Sequence, residues 1–210
     1  MTMLHAFLND MAQRVLSVNR LQPRNDVFTC VSRLGLAHEA PVLDFGCGTG
    51  LFAPTLAKKC RLAYTGYDID EKYLGYAKTI YPFGAFSTSR SFVEASGPYD
   101  LVMANCCFHH IADESAQDEM AFIKRVLKPG GTFLFIDILK KEHDPSRLHR
   151  WFMTLEEGKF VRLESQYIRL VSGKFLINRM ETRRSVLFSL PWKSCPIHND
   201  LIFLECEARR

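Results

Sequence analysis

Three short stretches carry residue types that do chemistry: VLDFGCGTG at 42–50, GYDID at 66–70 and NCCFHH at 105–110. In the first, Gly46, Gly48 and Gly50 alternate with single residues just after an acid, Asp44. A backbone without Cβ atoms turns sharply and comes close to a ligand. A helix from about Leu51 would aim its first N–H groups at that spot, which favours anionic groups. Asp68, in the second stretch, closes a strand 22 residues after Gly46, a place where an acid commonly binds ribose hydroxyls. Together they imply a ligand that carries a nucleoside. In the third stretch His109 and His110 offer imidazoles that titrate near neutral pH, able to take a proton from a hydroxyl or phenol.

Such residues need a scaffold, and the chain supplies one by alternation. PVLDFG reads as a buried strand and GLFAPTLAKKC as the helix after it. RLAYTGYDID is a second strand, EKYLGYAKTI a second helix, and GAFSTS a short third strand. YDLVMANCCF is a fourth strand. DESAQDEMAFIKRVLK is an amphipathic helix with Met120, Ile123, Val126 and Leu127 inward; KPGG breaks it, and TFLFIDIL follows as a strand. Strands apolar on both faces, alternating with helices, imply a parallel sheet covered on two sides. The last third changes pattern. After a helix around SRLHRWFMTLEEG, the segments KFVRLESQYIRLV, KFLINRMETRRSVLF and DLIFLECEA read as strands. Ser172-Gly173 marks a turn, and Pro191 and Pro196 bound a loop. An antiparallel end to the sheet is expected.

With 210 residues the chain suits one domain with a sizeable core. No run of 18 apolar residues exists, so no transmembrane helix is expected. MTMLHAFLNDMAQR lacks the layout of a signal peptide and reads as an amphipathic helix, with Met3, Leu4, Phe7, Leu8, Met11 and Val15 at helical spacing. Seven cysteines, an odd number without a CxxC pair, fit a reducing, cytoplasmic setting. Cys106-Cys107 admits a metal or redox reading, but small buried side chains at a strand end account for it more simply; no metal site is expected. Between Lys140 and Lys193 twelve Lys/Arg stand against six Asp/Glu, while the whole chain carries only +4. That surplus suits a solvated face, or a phosphate, an acidic carrier or nucleic acid.

The glycines alone leave the nucleoside open, since Gly48, Gly50 and Ala53 also fit the dinucleotide pattern G-x-G-x-x-A. Their surroundings resemble the class I S-adenosylmethionine-dependent methyltransferases, of the small-molecule type. VLDFGCGTG is similar to the first motif of that family, with its D-x-G-x-G-x-G core at Asp44, Gly46, Gly48 and Gly50. GYDID resembles the second strand end, YDLVMANCCFHHI the fourth strand and its sequel, and RVLKPGGTFLFIDI the helix end, turn and fifth strand. The resemblance implies a Rossmann-like, seven-stranded, mostly parallel sheet with an antiparallel C-terminal strand and helices on both faces. It also implies a single domain over 1–210: a helical cover at 1–38, a cofactor-binding core at 41–138, and a C-terminal helix and antiparallel strands at 139–210.

The family's site residues carry over by position. The resemblance implies that Asp44 fixes the loop and the cofactor amino group, and that Gly46, Cys47, Gly48 and Gly50 line the methionine part. It gives Asp68 the ribose hydroxyls, Ile69 a face of adenine, and Asn105 the methionine end through its backbone. S-adenosyl-L-methionine is then the cofactor and S-adenosyl-L-homocysteine its product. The usual acid after the third strand is missing from FSTSRSF, where Ser87, Thr88 or Ser89 stands in. His110 and His109 are the candidate bases, ahead of His143 and His149. NCCF lacks both prolines of the N-P-P-Y motif of amide and adenine methyltransferases, and Asn105 where a catechol enzyme has a carboxylate disfavours a metal-assisted site. The N-terminal helix and the segment 147–160, with Trp151, Phe152, Met153 and Phe160, are the expected covers. Three roles follow: an enzyme for a small, apolar or aromatic hydroxyl compound; one for a macromolecule or carrier-bound chain, nucleic acid being disfavoured; or a cofactor-binding protein without transfer. Oligomeric state is not legible.

Overall fold

A computed structural model describes residues 21–140, 159–190 and 193–209. Its strands are β1 Pro41–Phe45, β2 Ala63–Tyr67, β3 Ala85–Ser87, β4 Tyr99–Asn105, β5 Leu127–Ile138, β6 Phe175–Leu190 and β7 Lys193–Ala208. They form one sheet in the order β3-β2-β1-β4-β5-β7-β6. The first five run parallel, and β7 lies antiparallel between β5 and β6. From β1 the chain winds outward to β2 and β3, then crosses to β4 and β5. The carboxyl ends of β1 and β4 therefore flank a topological switch point, where such sheets bind ligands.

The apolar strands fill two layers. Leu43 and Phe45 of β1 face a layer with Tyr99, Phe108, Phe122 and Phe135. Val42 faces the other, with Val27, Leu56, Leu101 and Leu134. Burial on both faces explains why these strands read as continuous apolar runs. The helices are α1 Leu21–Arg33, α2 Glu71–Ile80, α3 Arg90–Ser96, α4 Asp113–Val126 and α5 Glu164–Ser172. Asp70 caps α2, its carboxylate accepting from the amides of Lys72 and Tyr73. In α4 the inward residues Met120, Ile123 and Val126 are buried as their spacing predicts.

Four local readings need correction. The helix expected from Leu51 is a single wide turn of π-helix at Pro54–Lys59, closed by the Cys60 amide on the Thr55 carbonyl at 2.8 Å. KFVRLESQYIRLV holds α5 rather than a strand, because Tyr167, Leu170 and Val171 lie on one helical face against Phe135 and Phe175. β5 begins before KPGG, with a register shift where Gly131 lies too close to the Tyr99 and Asp100 carbonyls for a Cβ. Pro196 lies within β7 rather than at the end of a loop, and Pro191 lies outside the described residues. α3 had no counterpart in the sequence reading. The expected N-terminal helix to Val15, and the cover residues His143, His149, Trp151, Phe152 and Met153, lie outside the described residues.

α1 is held on the sheet by charge as well as apolar contact. Arg33 pairs with Glu205 and Glu181, and Arg183 with Asp26 at 2.9 Å and with Glu181. The hydrogen bonds from Arg183 and Arg179 push the Glu181 carboxyl down to about 2. Arg184 pairs with Asp200 and Arg162 with Asp113. Arg162 and Arg183 of the basic C-terminal stretch are thus spent within the fold, while Arg179 and Arg184 make their ion pairs at the surface.

Candidate active site

The glycine loop leaves β1 at its carboxyl end and is fastened at once. The amides of Gly46 and Cys47 both donate to the Tyr67 carbonyl, at 2.8 and 3.0 Å. Gly46 has φ +71°, and a Cβ there would stand 2.6 Å from the Cβ of Cys107, which follows β4. Only glycine lets β1 and the segment after β4 close up at that point. Gly48, with φ +52°, faces open space within 4 Å, so the backbone is bare on the side from which a ligand approaches. Its amide donates to Asp68 Oδ2 at 2.7 Å, while Asp68 Oδ1 accepts from the Asp70 amide at 3.0 Å. Beside Asp68, Ile69 is 82% exposed. An apolar side chain left in water next to an acid at a strand end offers a surface on which an aromatic base can pack.

The electrostatics favour a cation in this pocket. Asp44, at 1% exposure, accepts from the Tyr64 hydroxyl at 2.9 Å. Burial pushes its carboxyl up to about 7, helped by the nearby Asp68 and opposed by the Tyr64 hydrogen bond. Burial likewise raises Asp68, and raises the Cys47 and Cys107 thiols and the Tyr64 phenol well above their ordinary ranges. Both thiols therefore stay protonated and inert. No Lys or Arg occurs between Pro41 and Ala57, and the turn at Pro54–Lys59 is too short to present a helix dipole. Among the described residues Asp44 and Asp68 have no basic partner, which suits the ammonium and sulfonium of S-adenosylmethionine better than the pyrophosphate of a dinucleotide. The residues present thus fit that cofactor.

A second cluster lies one strand further along the same edge. After β4 the chain passes Asn105 and Cys106 into a short 3₁₀ turn, Phe108–His110. Asn105 stands in register with Ile136 of β5, and the Cys106 amide donates to the Ile136 carbonyl at 2.8 Å. His109 is 2% exposed and His110 is exposed, their rings 4.1 Å apart between centroids. His109 Nδ1 meets Asp137 Oδ1 at 2.5 Å, and its amide donates to Asp137 Oδ2 at 3.2 Å. The Ile138 amide also donates to Asp137, at 2.7 Å. A carboxylate only accepts, so Nδ1 carries the proton and the tautomer is set.

The structure gathers Asp44, Gly46, Cys47, Gly48, Gly50, Asp68, Ile69 and Asn105 at the ends of β1, β2 and β4, with His109 and His110 beside them. After β3, Ser87 Oγ accepts from the Ser89 amide and Ser89 Oγ caps α3, while Thr88 is exposed. Sequence reading missed Asp137, Tyr64 and Arg162. Asp137 had a signal, since a single acid inside FLFIDIL has to be partnered where it is buried. Tyr64 and Arg162 had none, because their partners lie 20 and about 50 residues away.

Comparison with known proteins agrees with this geometry. Residues 19–183 match the family model described as a methyltransferase domain, and the chain belongs to that family. It is thereby a methyltransferase domain. It is 29% identical over 123 residues to an uncharacterized methyltransferase of Synechocystis sp., covering 58% of this chain and 56% of that one. The chain spans about half the length of the first curated relatives it matches. It is also 28% identical over 185 residues, 75% of this chain and 4% of the other, to a polyketide synthase–nonribosomal peptide synthetase of Pyricularia grisea. The magnesium protoporphyrin IX methyltransferase of Synechocystis, solved with S-adenosylhomocysteine, shares the fold at TM-score 0.66 and 19% identity, over 95% of this chain and 87% of that one. Among the described residues no helix is long and apolar enough to cross a membrane.

Proposed function

We propose that the chain transfers a methyl group to a proton-bearing nucleophile, a hydroxyl, of a small and largely apolar or aromatic molecule. The observation that carries this reading is the exposed imidazole of His110, 4.1 Å from and tilted 43° to the ring of His109, which Asp137 holds at Nδ1. Bound S-adenosylmethionine would supply the sulfonium methyl, which passes in line to the nucleophile as S-adenosylhomocysteine leaves. The chain's own residues hold the reactants and the proton. Asp68 accepts from the ribose hydroxyls and Ile69 packs on the adenine. Asp44 and the backbone of Gly46, Cys47, Gly48, Gly50 and Asn105 hold the methionine end. His110 takes the acceptor's proton as the nucleophile attacks, and His109, braced on Asp137, keeps that ring in place. Alignment of the two reactants is the larger protein contribution.

An apolar acceptor fits the exposed Phe160 beside this segment, whose amide donates to the His109 carbonyl. The free state of the six described cysteines fits a reducing, cytoplasmic compartment. A second reading has one specific support: the match to the polyketide synthase–peptide synthetase runs over most of the chain, which suits an acceptor tethered to an acidic carrier. A radiolabelled-methyl assay with S-adenosylmethionine tests both. It compares phenols and aliphatic alcohols with carrier-bound acyl chains. Labelling of free hydroxyl compounds supports the first reading, and labelling of carrier-bound chains alone replaces it with the second.

A further inference from the structure

Arg162 is buried, with 6% of its side chain exposed, and every N–H of its guanidinium is used. Nε donates to Asp113 Oδ1 at 2.8 Å, and Nη2 donates to the same oxygen at 2.6 Å and to the Ile111 carbonyl at 2.7 Å. Nη1 donates to the Phe108 carbonyl at 2.8 Å and to the Phe160 carbonyl at 3.0 Å. The guanidinium also lies over the Tyr167 ring, 5.7 Å from its centroid. A buried cation is costly unless all its donors are met, and here five donors meet four acceptors.

The placing of those acceptors gives the residue its role. Phe108 and Ile111 stand immediately before and after His109-His110, so the fork grips the histidine pair from both flanks. The carbonyl of His109 is taken by the Phe160 amide at 2.9 Å, two residues from Arg162. Arg162 is itself fixed to the sheet: its carbonyl accepts from the Lys140 amide at 2.9 Å, and it bridges to Leu139 at the end of β5. Residues 160–162 are thus a strap that ties the end of β5 to the turn carrying both imidazoles.

We propose that Arg162 is a positioning residue for the His109–His110 pair. Its planar fork holds the turn in the one geometry that keeps Nδ1 of His109 on Asp137 and the His110 ring against His109. This rests on the reading of that pair as the base. Lysine cannot replace it, since an ammonium has three donors on a flexible stem and no fork.

The test uses the full chain and nuclear magnetic resonance of its imidazole groups, which needs no acceptor. Arg162→Lys is compared with Asp113→Asn, which removes the charge of the exposed anchor and leaves the carbonyl contacts. Arg125→Met, an ion pair with Glu94 on the far side of α4, is the control. Thermal unfolding and S-adenosylhomocysteine titration report fold and cofactor pocket separately. The expected result is a folded Arg162→Lys that binds S-adenosylhomocysteine as the wild type does. Its His109 Nδ1 proton signal is lost and its His110 ring signals are displaced; Asp113→Asn shows a smaller displacement and Arg125→Met none. With an acceptor in hand, kcat of Arg162→Lys falls by about a hundredfold, as for a misplacement near 1 Å, and KM for S-adenosylmethionine is kept. Imidazole signals unchanged in Arg162→Lys overturn the proposal; if that variant does not fold, unchanged signals in Asp113→Asn do so. Displaced signals together with full transfer by His110→Ala would keep the clamp and remove the base.

Discussion

Gly48 and Asp68 stand 20 residues apart in the chain and 2.7 Å apart in space, the amide of one donating to the carboxylate of the other. That bond closes the glycine loop onto the end of β2 and turns the Asp68 carboxylate toward the open side of the loop. One side chain thus shapes the loop and, on the proposed reading, also accepts from the ribose. Asp68→Ala removes both, and the loss of charge-assisted hydrogen bonds worth about 3 kcal/mol weakens S-adenosylhomocysteine binding roughly 100-fold. Isothermal titration of the variant measures it; unchanged affinity would place the ribose elsewhere.

Two glycines two residues apart should fail in different ways. A Cβ at Gly46 collides with Cys107, so Gly46→Ala destabilises the fold by about 2–4 kcal/mol. A Cβ at Gly48 meets nothing in the protein, so Gly48→Ala costs only the left-handed backbone strain, about 1–2 kcal/mol. Its methyl occupies the ligand's approach, so binding is lost while most of the stability stays. Denaturant unfolding and ligand titration of both variants separate the effects.

Asp44 links cofactor binding to pH. Burial holds its carboxyl at about 7, above the usual carboxylate value of 3.8. The folded chain therefore binds a proton that the unfolded chain has released. Stability without ligand falls as pH rises between those values, and this contribution is flat above about 7. An ammonium group beside Asp44 favours the ionised form, so S-adenosylhomocysteine affinity rises as pH climbs to about 7, by up to about tenfold per unit, and then levels. Asp44→Asn removes most of that slope. A titration series across this range reads it, and an equal slope in the variant would assign the proton to another group.

The histidine pair separates catalysis from binding. His110→Ala lowers transfer by about 10²–10⁴-fold and leaves S-adenosylhomocysteine affinity unchanged. Asp137→Asn keeps the shape but weakens the hold on His109, with a smaller loss of rate. Full activity in His110→Ala would move the base to another residue or to a substrate that needs none.

The cofactor loop was legible because its demands are local. Asp44, Gly46, Gly48 and Gly50 lie within seven residues, and their backbone geometry admits little else. Asp68 and the apolar strands were legible through spacing and period. The 160–172 region was misread because Phe160, Leu163, Tyr167, Leu170 and Val171 satisfy strand and helix patterns in part, and packing against Phe135 and Phe175 decides for the helix. The turn at Pro54–Lys59 could not be read, since a single turn of π-helix is too short to show a period. The environment of His109 depends on Asp137, 28 residues on, and on Arg162, whose contacts are set by how β5 and its strap fold back.

Thermal unfolding of the chain alone and with S-adenosylmethionine, S-adenosylhomocysteine or NAD tests the cofactor pocket most directly. A ligand that binds only the folded state adds about 2.7 kcal/mol at 100 times its dissociation constant, an easily seen rise in Tm. The acids and bare backbone at the end of β1 predict a rise with the two sulfur nucleosides and none with NAD. A rise with NAD alone, or with none of the three, would contradict that assignment of the pocket.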